Sequence, residues 1–269
     1  LLAPAMNQQM WLNPATQENI AILRSRGYYI STPEDGDQAC GETGPGRMAE
    51  PGQIISLTNT LFQSGLLAGT NMLITAGPTR EPLDPVRYLT NHSSGKMGFA
   101  LAEAACSAGA KVTLVAGPVN LKTPRYVARY DVETAQDMLE TCLEHAPSAD
   151  IFIGCAAVSD YRPKYRNPEK IKKTDELLKL ELIRNPDVVS HIAGKFEQMF
   201  CLGFAAETHH VLENARQKLL TKKLGLLVAN DVSNPEIGFD SDLNEVSLIW
   251  NTGEEKLPQA SKTVIAKQI

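Results

Sequence analysis

From Met72 to Ala229 the chain alternates short apolar runs of strand length with longer segments whose apolar residues recur at helical spacing, and this alternation restricts the fold more than any other feature. Met72–Ala76, Lys111–Val115, Asp150–Ala156, Met199–Ala205 and Leu224–Ala229 read as strands. Ser94–Ala108, Thr134–His145, Pro186–Phe196 and Val211–Lys222 read as helices, the first stopping at Gly109. Strands joined through helices form a mostly parallel sheet with helices on both faces, an α/β, Rossmann-like architecture. Glu245–Trp250 and Glu255–Leu257, joined at Asn251-Thr252-Gly253, read as a late β-hairpin. Upstream the pattern fails. Residues 1 to about 50 read as irregular, with a long Gly- and Pro-rich loop over 36–52. Helical spacing returns at 53–67, and Gly69-Thr70-Asn71 breaks it, so the expected division is 1–70 and 71–269.

The 269 residues suffice for a full core. A formal net charge of -5 without a long basic run argues against a nucleic-acid binder, although a nucleotide pocket needs only a few local cations. The five cysteines include no C-x-x-C pair, which argues against a disulfide framework and for a reducing, cytoplasmic compartment. Four of them lie in apolar helix or strand patterns and read as small buried thiols. No apolar stretch approaches the length of a membrane span. The chain opens at Leu1 without an initiator Met or a signal pattern, and is expected to be part of a longer protein.

Several short motifs lack the context their chemistry needs. Gly44-Pro45-Gly46-Arg47-Met48-Ala49 fits a dinucleotide fingerprint, but no strand run precedes it. Gly95-Lys96 is followed by Met97 where a phosphate-binding loop needs Ser or Thr for magnesium. His209-His210 has no further metal ligand at useful spacing and reads as a solvated helix start.

The connection from Gly77 to about Ser93 is far longer than a βα loop needs, which marks it as functional. It carries Arg80 and Arg87 and delivers Asn91, Ser93, Ser94 and Gly95 to a helix start. Ser93 or Ser94 is expected to cap that helix, and a helix start at the strand ends favours phosphate through its N–H groups and dipole. Gly154-Cys155-Ala156 and Asp160, at another strand end, fit either close ligand approach or tight helix–sheet packing. Lys170 in Lys170-Ile171-Lys172-Lys173 reads as a solvated charge run or as a clamp on a triphosphate, and Lys218 with Lys222 admits the same two readings.

In order along the chain, ITAGPTREPLDPVRYLTNHSSGKMG, FIGCAAVSDYR, EKIKK, RNPDVV, GFAAET and ANDV resemble the ligase half of the bifunctional phosphopantothenoylcysteine decarboxylase/phosphopantothenate–cysteine ligases of bacterial coenzyme A synthesis. The resemblance runs from about Asn71 nearly to the C-terminus. Pro4-Ala5-Met6-Asn7 resembles the substrate signature of the flavin-dependent decarboxylase half, and the stretch from Cys40 to Met48 its active-site flap. The resemblance therefore implies that Asn7 and Cys40 are decarboxylase residues whose flavin mononucleotide core lies upstream. Flavin and decarboxylation are not expected of this chain.

The resemblance further implies CTP-dependent joining of phosphopantothenate to L-cysteine through an acyl-cytidylate, with release of pyrophosphate and then CMP. It assigns CTP to Gly154, Cys155, Ala156, Asp160, Lys170, Asn185, Pro186, Asp187, Val188, Phe204, Lys218 and Lys222. It assigns phosphopantothenate to Arg87, Asn91, Ser93, Ser94 and Gly95, with Asn91 and Lys170 as the catalytic pair. Magnesium would accompany CTP, with Asp160 as its expected protein ligand. A homodimer is implied, with the late hairpin offering an edge for pairing. Two rival classes are a nicotinamide-dependent oxidoreductase, whose glycine fingerprint is missing after the first strand, and a noncatalytic nucleotide-binding module.

Overall fold

A computed structural model of the chain describes residues 1–38, 41–62, 65–172, 177–207, 211–231 and 241–269. The chain divides into two compact units, Leu1–Ser64 and Gly65–Ile269.

The first unit is more ordered than its sequence pattern predicts. It contains α1 (Gln8–Leu12), α2 (Pro14–Ser25), β1 (Glu34–Asp37), β2 (Thr43–Arg47) and α3 (Pro51–Phe62). The two opening helices are set by caps rather than by an apolar stripe. Asn7 accepts from the Met10 N–H, Asn13 accepts from the Ala15 N–H, and Pro14 takes the first helical position. Only Trp11 and Ile20 are buried in them, so periodicity had little to report. The expected long loop contains an antiparallel hairpin, β1 with β2. Its Gly, Pro and Asp residues have poor strand propensity, and the Gln38 side chain steadies the turn by donating to the Gly44 and Pro45 carbonyls at 3.2 and 3.3 Å. The helix expected at 53–67 instead runs from Pro51 to Phe62, and residues 66–69 form a turn.

The second unit holds the alternating fold. It runs β3 (Asn71–Ala76), β4 (Arg80–Pro82), β5 (Tyr88–Thr90), α4 (Lys96–Ser107), β6 (Lys111–Ala116), β7 (Ala128–Asp131), α5 (Ala135–His145) and β8 (Ile151–Gly154). It continues β9 (Tyr161–Pro163), β10 (Leu182–Arg184), α6 (Val188–Lys195), β11 (Phe200–Glu207), α7 (Val211–Thr221) and β12 (Leu226–Asp231). The hairpin β13 (Leu243–Trp250) and β14 (Gly253–Ser261) and the closing helix α8 (Lys262–Gln268) complete it. Eight strands form one sheet in the order β14-β13-β12-β11-β8-β3-β6-β7. The pairs from β12 through β7 are parallel, and the late hairpin adds two antiparallel strands at one edge.

Side-chain alternation along the strands sorts the core into two layers. Met72, Ile74 and Ala76 of β3 pack in one layer with Phe99, Leu101 and Ala105 of α4 and Ile265 of α8. Leu73 of β3 and Leu227 of β12 pack in the other with Met138 of α5, Ile192 of α6 and Leu219 of α7. Helix ends follow their sequence signals. Gly109 (φ 100°) closes α4, with Gly109 and Ala110 N–H groups donating to the Cys106 and Ala105 carbonyls. Thr134 and Asp137 form a reciprocal capping box on α5. The edge strand β7, the helix α8 and the small pairs β4–β5 and β9–β10 were absent from the sequence reading. Each is too short or too polar for periodicity to separate it from loop.

Candidate functional site

The strand order reverses beside β3. The chain passes from β3 to β6 and β7 on one side, then crosses back to β8, β11 and β12 on the other. Connections leaving in opposite directions open a crevice at the carboxyl ends of such strands. A cleft of about 470 Å³ lies there, lined from three directions by Asn91 to Gly98, by Cys155 to Val158 with Asp160, and by Phe204, Ala205 and Asn230.

The start of α4 forms one wall. Its N-cap is Gly95, not a serine, with a left-handed φ of 76°. A Cβ there would stand 3.0 Å from Val119 Cγ1, so both conformation and space select glycine. Ser93 does not cap the helix; its hydroxyl accepts from the Gly95 N–H at 3.3 Å. The cap supplies no side chain to the first-turn N–H groups, which an α-helix cannot satisfy internally.

The loops after β3 and β8 are stitched together beneath the cleft. The Ala156 N–H donates to Thr75 Oγ1 at 3.3 Å, the Ala157 N–H to the Gly77 carbonyl at 2.9 Å, and the Ser159 N–H to the buried Thr79 hydroxyl at 3.0 Å. Asn91, just after β5, joins this network by donating Nδ2 to the Val158 carbonyl at 3.1 Å. Of the small-residue cluster, Cys155, Ala156 and Asp160 line the cleft. Gly154 is a packing residue, since a Cβ there would meet Val189 Cγ2 of α6 at 2.5 Å. Burial pushes the Cys155 thiol up to about 12, partly opposed by the Lys262 charge, so the neutral thiol is favoured at neutral pH.

Phe204 and Lys218 reach the opposite wall from β11 and α7. Asn230, Asn244 and Lys262 also line the cleft, as do His92, Lys96 and Met97 at the α4 start, and none of the six was assigned to the site from sequence. Asn230 lies in ANDV, a segment that carries the family resemblance but received no site role from it. Asn244 is placed by the register of the late hairpin and Lys262 opens α8 directly after it, and neither leaves a local signature. Lys262 is buried and donates to the Ser241 carbonyl.

The remaining expected residues lie outside the cleft. Asn185 stands behind Asp160, donating Nδ2 to the Ser159 carbonyl and its N–H to the Asp160 carbonyl, both at 2.8 Å. Pro186 precedes Asp187, the N-cap of α6, and Val188 is that helix's buried first residue. Lys222 pairs with Asp187 at 2.8 Å. Burial raises the Asp187 carboxyl, but the Lys222 ammonium and the Ser190 N–H outweigh it and hold the group below its ordinary value. Arg87 turns to Asp84 and to the Ile171 carbonyl, at 3.4 and 3.2 Å. Lys170 is exposed on the adjoining segment. In the first unit Asn7 caps α1 and donates to Glu42 at 3.2 Å, while Cys40, His209 and His210 lie outside the described residues. Among the described residues no group of three or more His, Cys, Asp or Glu side chains is arranged to hold a metal ion.

Comparison with known proteins places this geometry in a family. Residues 67–269 match the DNA/pantothenate metabolism flavoprotein C-terminal domain, and residues 1–63 match the Flavoprotein family. The chain is 52% identical to the coenzyme A biosynthesis bifunctional protein CoaBC of Vibrio vulnificus (strain CMCP6), over 100% of the chain and 68% of that protein. It is 43% identical to CoaBC of Bacillus subtilis (strain 168), over 100% of the chain and 67% of that protein. Among solved structures, the C-terminal domain of a CoaBC superposes with a TM-score of 0.66 at 41% identity, covering 76% of this chain and 94% of that one. A Cab2 variant in complex with phosphopantothenate-cysteine shares the fold, with a TM-score of 0.59 at 18% identity, covering 81% of this chain and 92% of that one. The chain thus belongs to the CoaBC family of coenzyme A biosynthesis proteins, of which it carries the phosphopantothenate–cysteine ligase domain together with a fragment of the flavoprotein domain.

Proposed function

We propose that the ligase uses CTP and works through an acyl-cytidylate. The observation that carries this reading is the convergence of the α4 start, the β8 loop with Asp160, and Lys218 on one cleft. A carboxylate acylates an amine only after its oxygen becomes a good leaving group. Phosphopantothenate carboxylate attacks the α-phosphorus of CTP, forming a C–O–P linkage and expelling pyrophosphate. The amine of L-cysteine then attacks the acyl carbonyl, an amide bond forms, the amine loses a proton, and CMP leaves. The first step brings anion to anion, so neutralising charge is the main demand on the protein.

Lys218 holds the phosphates of CTP, and Cys155, Ala156 and Phe204 line the nucleotide's side of the cleft. Asn91, Ser93, Ser94 and Gly95 hold the phosphopantothenate end. The uncharged Asn91 amide orients the acyl-cytidylate without trapping a charge. Gly154, Asn185, Pro186, Asp187, Val188 and Lys222 shape the nucleotide site from behind, and Arg87 serves phosphopantothenate. Lys170 reaches the triphosphate from its exposed segment. One carboxylate beside substrate phosphates fits a magnesium ion, so Asp160 would hold it, and the bound ion would supply further charge neutralisation.

On this reading residues 1–70 are a decarboxylase remnant and linker, and 71–269 are the ligase domain, which works in the cytoplasm as a homodimer. The edge strand β14 carries Glu254, Glu255 and Lys256, charges that discourage strand pairing. Exposed Leu177, Leu178, Leu182 and Ile183 around β10 make a better dimer surface. No helix among the described residues is long and apolar enough to cross a membrane.

The test is direct. Incubation with CTP, phosphopantothenate and cysteine should yield CMP and pyrophosphate, and Lys170→Gln should slow pyrophosphate release at least about tenfold, or about 1.4 kcal/mol of barrier. Release at the wild-type rate by that variant would remove Lys170 from the activation step. Absence of CMP with the wild-type protein would refute the CTP route.

A further inference from the structure

Outside the cleft, one buried carboxylate collects an unusual set of donors. Asp84 lies in the turn between β4 and β5 and is 2% exposed. Its Oδ1 accepts from the Val86 and Arg87 N–H groups at 2.7 and 2.8 Å, which closes the turn locally. Its Oδ2 accepts from the Ile171 N–H at 3.1 Å, a bond across 87 positions of sequence. The Arg87 guanidinium spans the same junction, touching Asp84 Oδ2 at 3.4 Å and donating to the Ile171 carbonyl at 3.2 Å. One turn further back the Asn167 N–H donates to the Leu83 carbonyl at 2.9 Å.

These contacts grip both backbone groups of Ile171, the residue next to Lys170. The local demands of the β4–β5 turn do not require this. Two N–H bonds to Oδ1 would complete an Asx-type turn, and the second oxygen is the one committed to the distant segment. We infer that Asp84 is a positioning residue for the ligase reaction: with Arg87 it clamps Ile171 and so sets where the Lys170 side chain can reach. The inference rests on the proposed role of Lys170 in activation.

The physical reasoning is entropic and geometric. A lysine side chain carries considerable rotamer freedom on a long stem, so an unanchored segment would add backbone freedom to it and dilute the cation near the triphosphate. Fixing the adjacent peptide removes the backbone share and leaves the side chain free to swing. A charged acceptor makes the fixing bonds stronger than neutral ones, which explains a carboxylate rather than an amide at this position. Burial raises the Asp84 carboxyl, and the N–H groups of Val86, Ile171 and Arg87 with the Arg87 charge outweigh it, so the group stays ionised.

The experiment combines a double-mutant cycle with hydrogen exchange on the full chain. Pyrophosphate release is timed for wild type, Asp84→Asn, Lys170→Gln and the double variant. If Asp84 acts through Lys170, Asp84→Asn slows release at least about fivefold, and adding it to Lys170→Gln changes little, since the two substitutions then share one effect. Aminolysis of a preformed acyl-cytidylate should proceed at the wild-type rate in Asp84→Asn. A multiplicative double variant, or equal slowing of both half-reactions, would show a general structural role and overturn the inference. Failure of Lys170→Gln to slow release would instead refute the proposed role of Lys170. Should Asp84→Asn not fold, exchange in the wild-type protein still decides: the Ile171 amide must be protected at least about tenfold over an unbonded amide. An Ile171 amide exchanging at the unprotected rate would mean that no clamp exists.

Discussion

Replacing Gly95 by alanine isolates the backbone contribution at the mouth of the cleft. The residue caps α4 at φ 76°, where an L-residue is penalised by roughly 1–2 kcal/mol through the clash of Cβ with the following carbonyl. The new Cβ would also crowd Val119 Cγ1 at 3.0 Å, a neighbour that must give way slightly. For a unit of this size each kcal/mol lowers the melting temperature by about 2–4 °C, so Gly95→Ala should melt about 2–8 °C below wild type. If the chain escapes the strain by leaving the left-handed region, the first turn of α4 shifts and kcat/KM for phosphopantothenate falls as well. Gly194→Ala is the matched control. Gly194 sits in α6 with nothing within 4 Å of its missing Cβ, so alanine there should leave the protein unchanged or more stable by about 0.5–1 kcal/mol. Differential scanning calorimetry and a pyrophosphate-release assay read both effects. Equal melting temperatures for the two variants would refute the argument from backbone conformation.

Two further outcomes follow from the side-chain geometry. Lys222→Met should cost at most about 1 kcal/mol at neutral pH, because the Asp187 pair is partly exposed and screened. The Asp187 value is depressed on folding, so its contribution is full above the unfolded value and is lost as pH falls through the folded one; urea titrations giving the same gap between variant and wild type across that range would contradict the pairing. Asn91→Asp should leave CTP affinity nearly intact while yielding little ligated product, because it places a charge beside the acyl group and ends donation to the Val158 carbonyl. A collapse of CTP affinity in calorimetry would move Asn91 to the nucleotide.

Local chemistry made much of this protein legible before any coordinates. The parallel sheet follows from apolar strand runs separated by helical periods, and the stop at Gly109 and the cap at Thr134 follow from backbone rules acting within a few residues. Asn91, Gly95, Cys155 and Asp160 line the crevice where the strand ends and the overlong connection pointed, whereas Phe204 was suggested only by the family resemblance. Wherever a feature depends on distant partners, the sequence was silent. The small N-terminal hairpin is built from residues of low strand propensity and is held by Gln38. The sequence left Gly154 open between ligand approach and helix–sheet packing, and the adjacent Val189 decides for packing. Asn244 reaches the cleft only through the register of an antiparallel hairpin and Lys262 only because α8 follows that hairpin, and Asp84 meets Ile171 only because two long connections fold over the same strand ends. Periodicity and caps report energies spent within one turn or one strand. The contacts that set Arg87, Lys222 and the Lys170 segment join residues tens of positions apart, and only tertiary packing decides which of those partners meet.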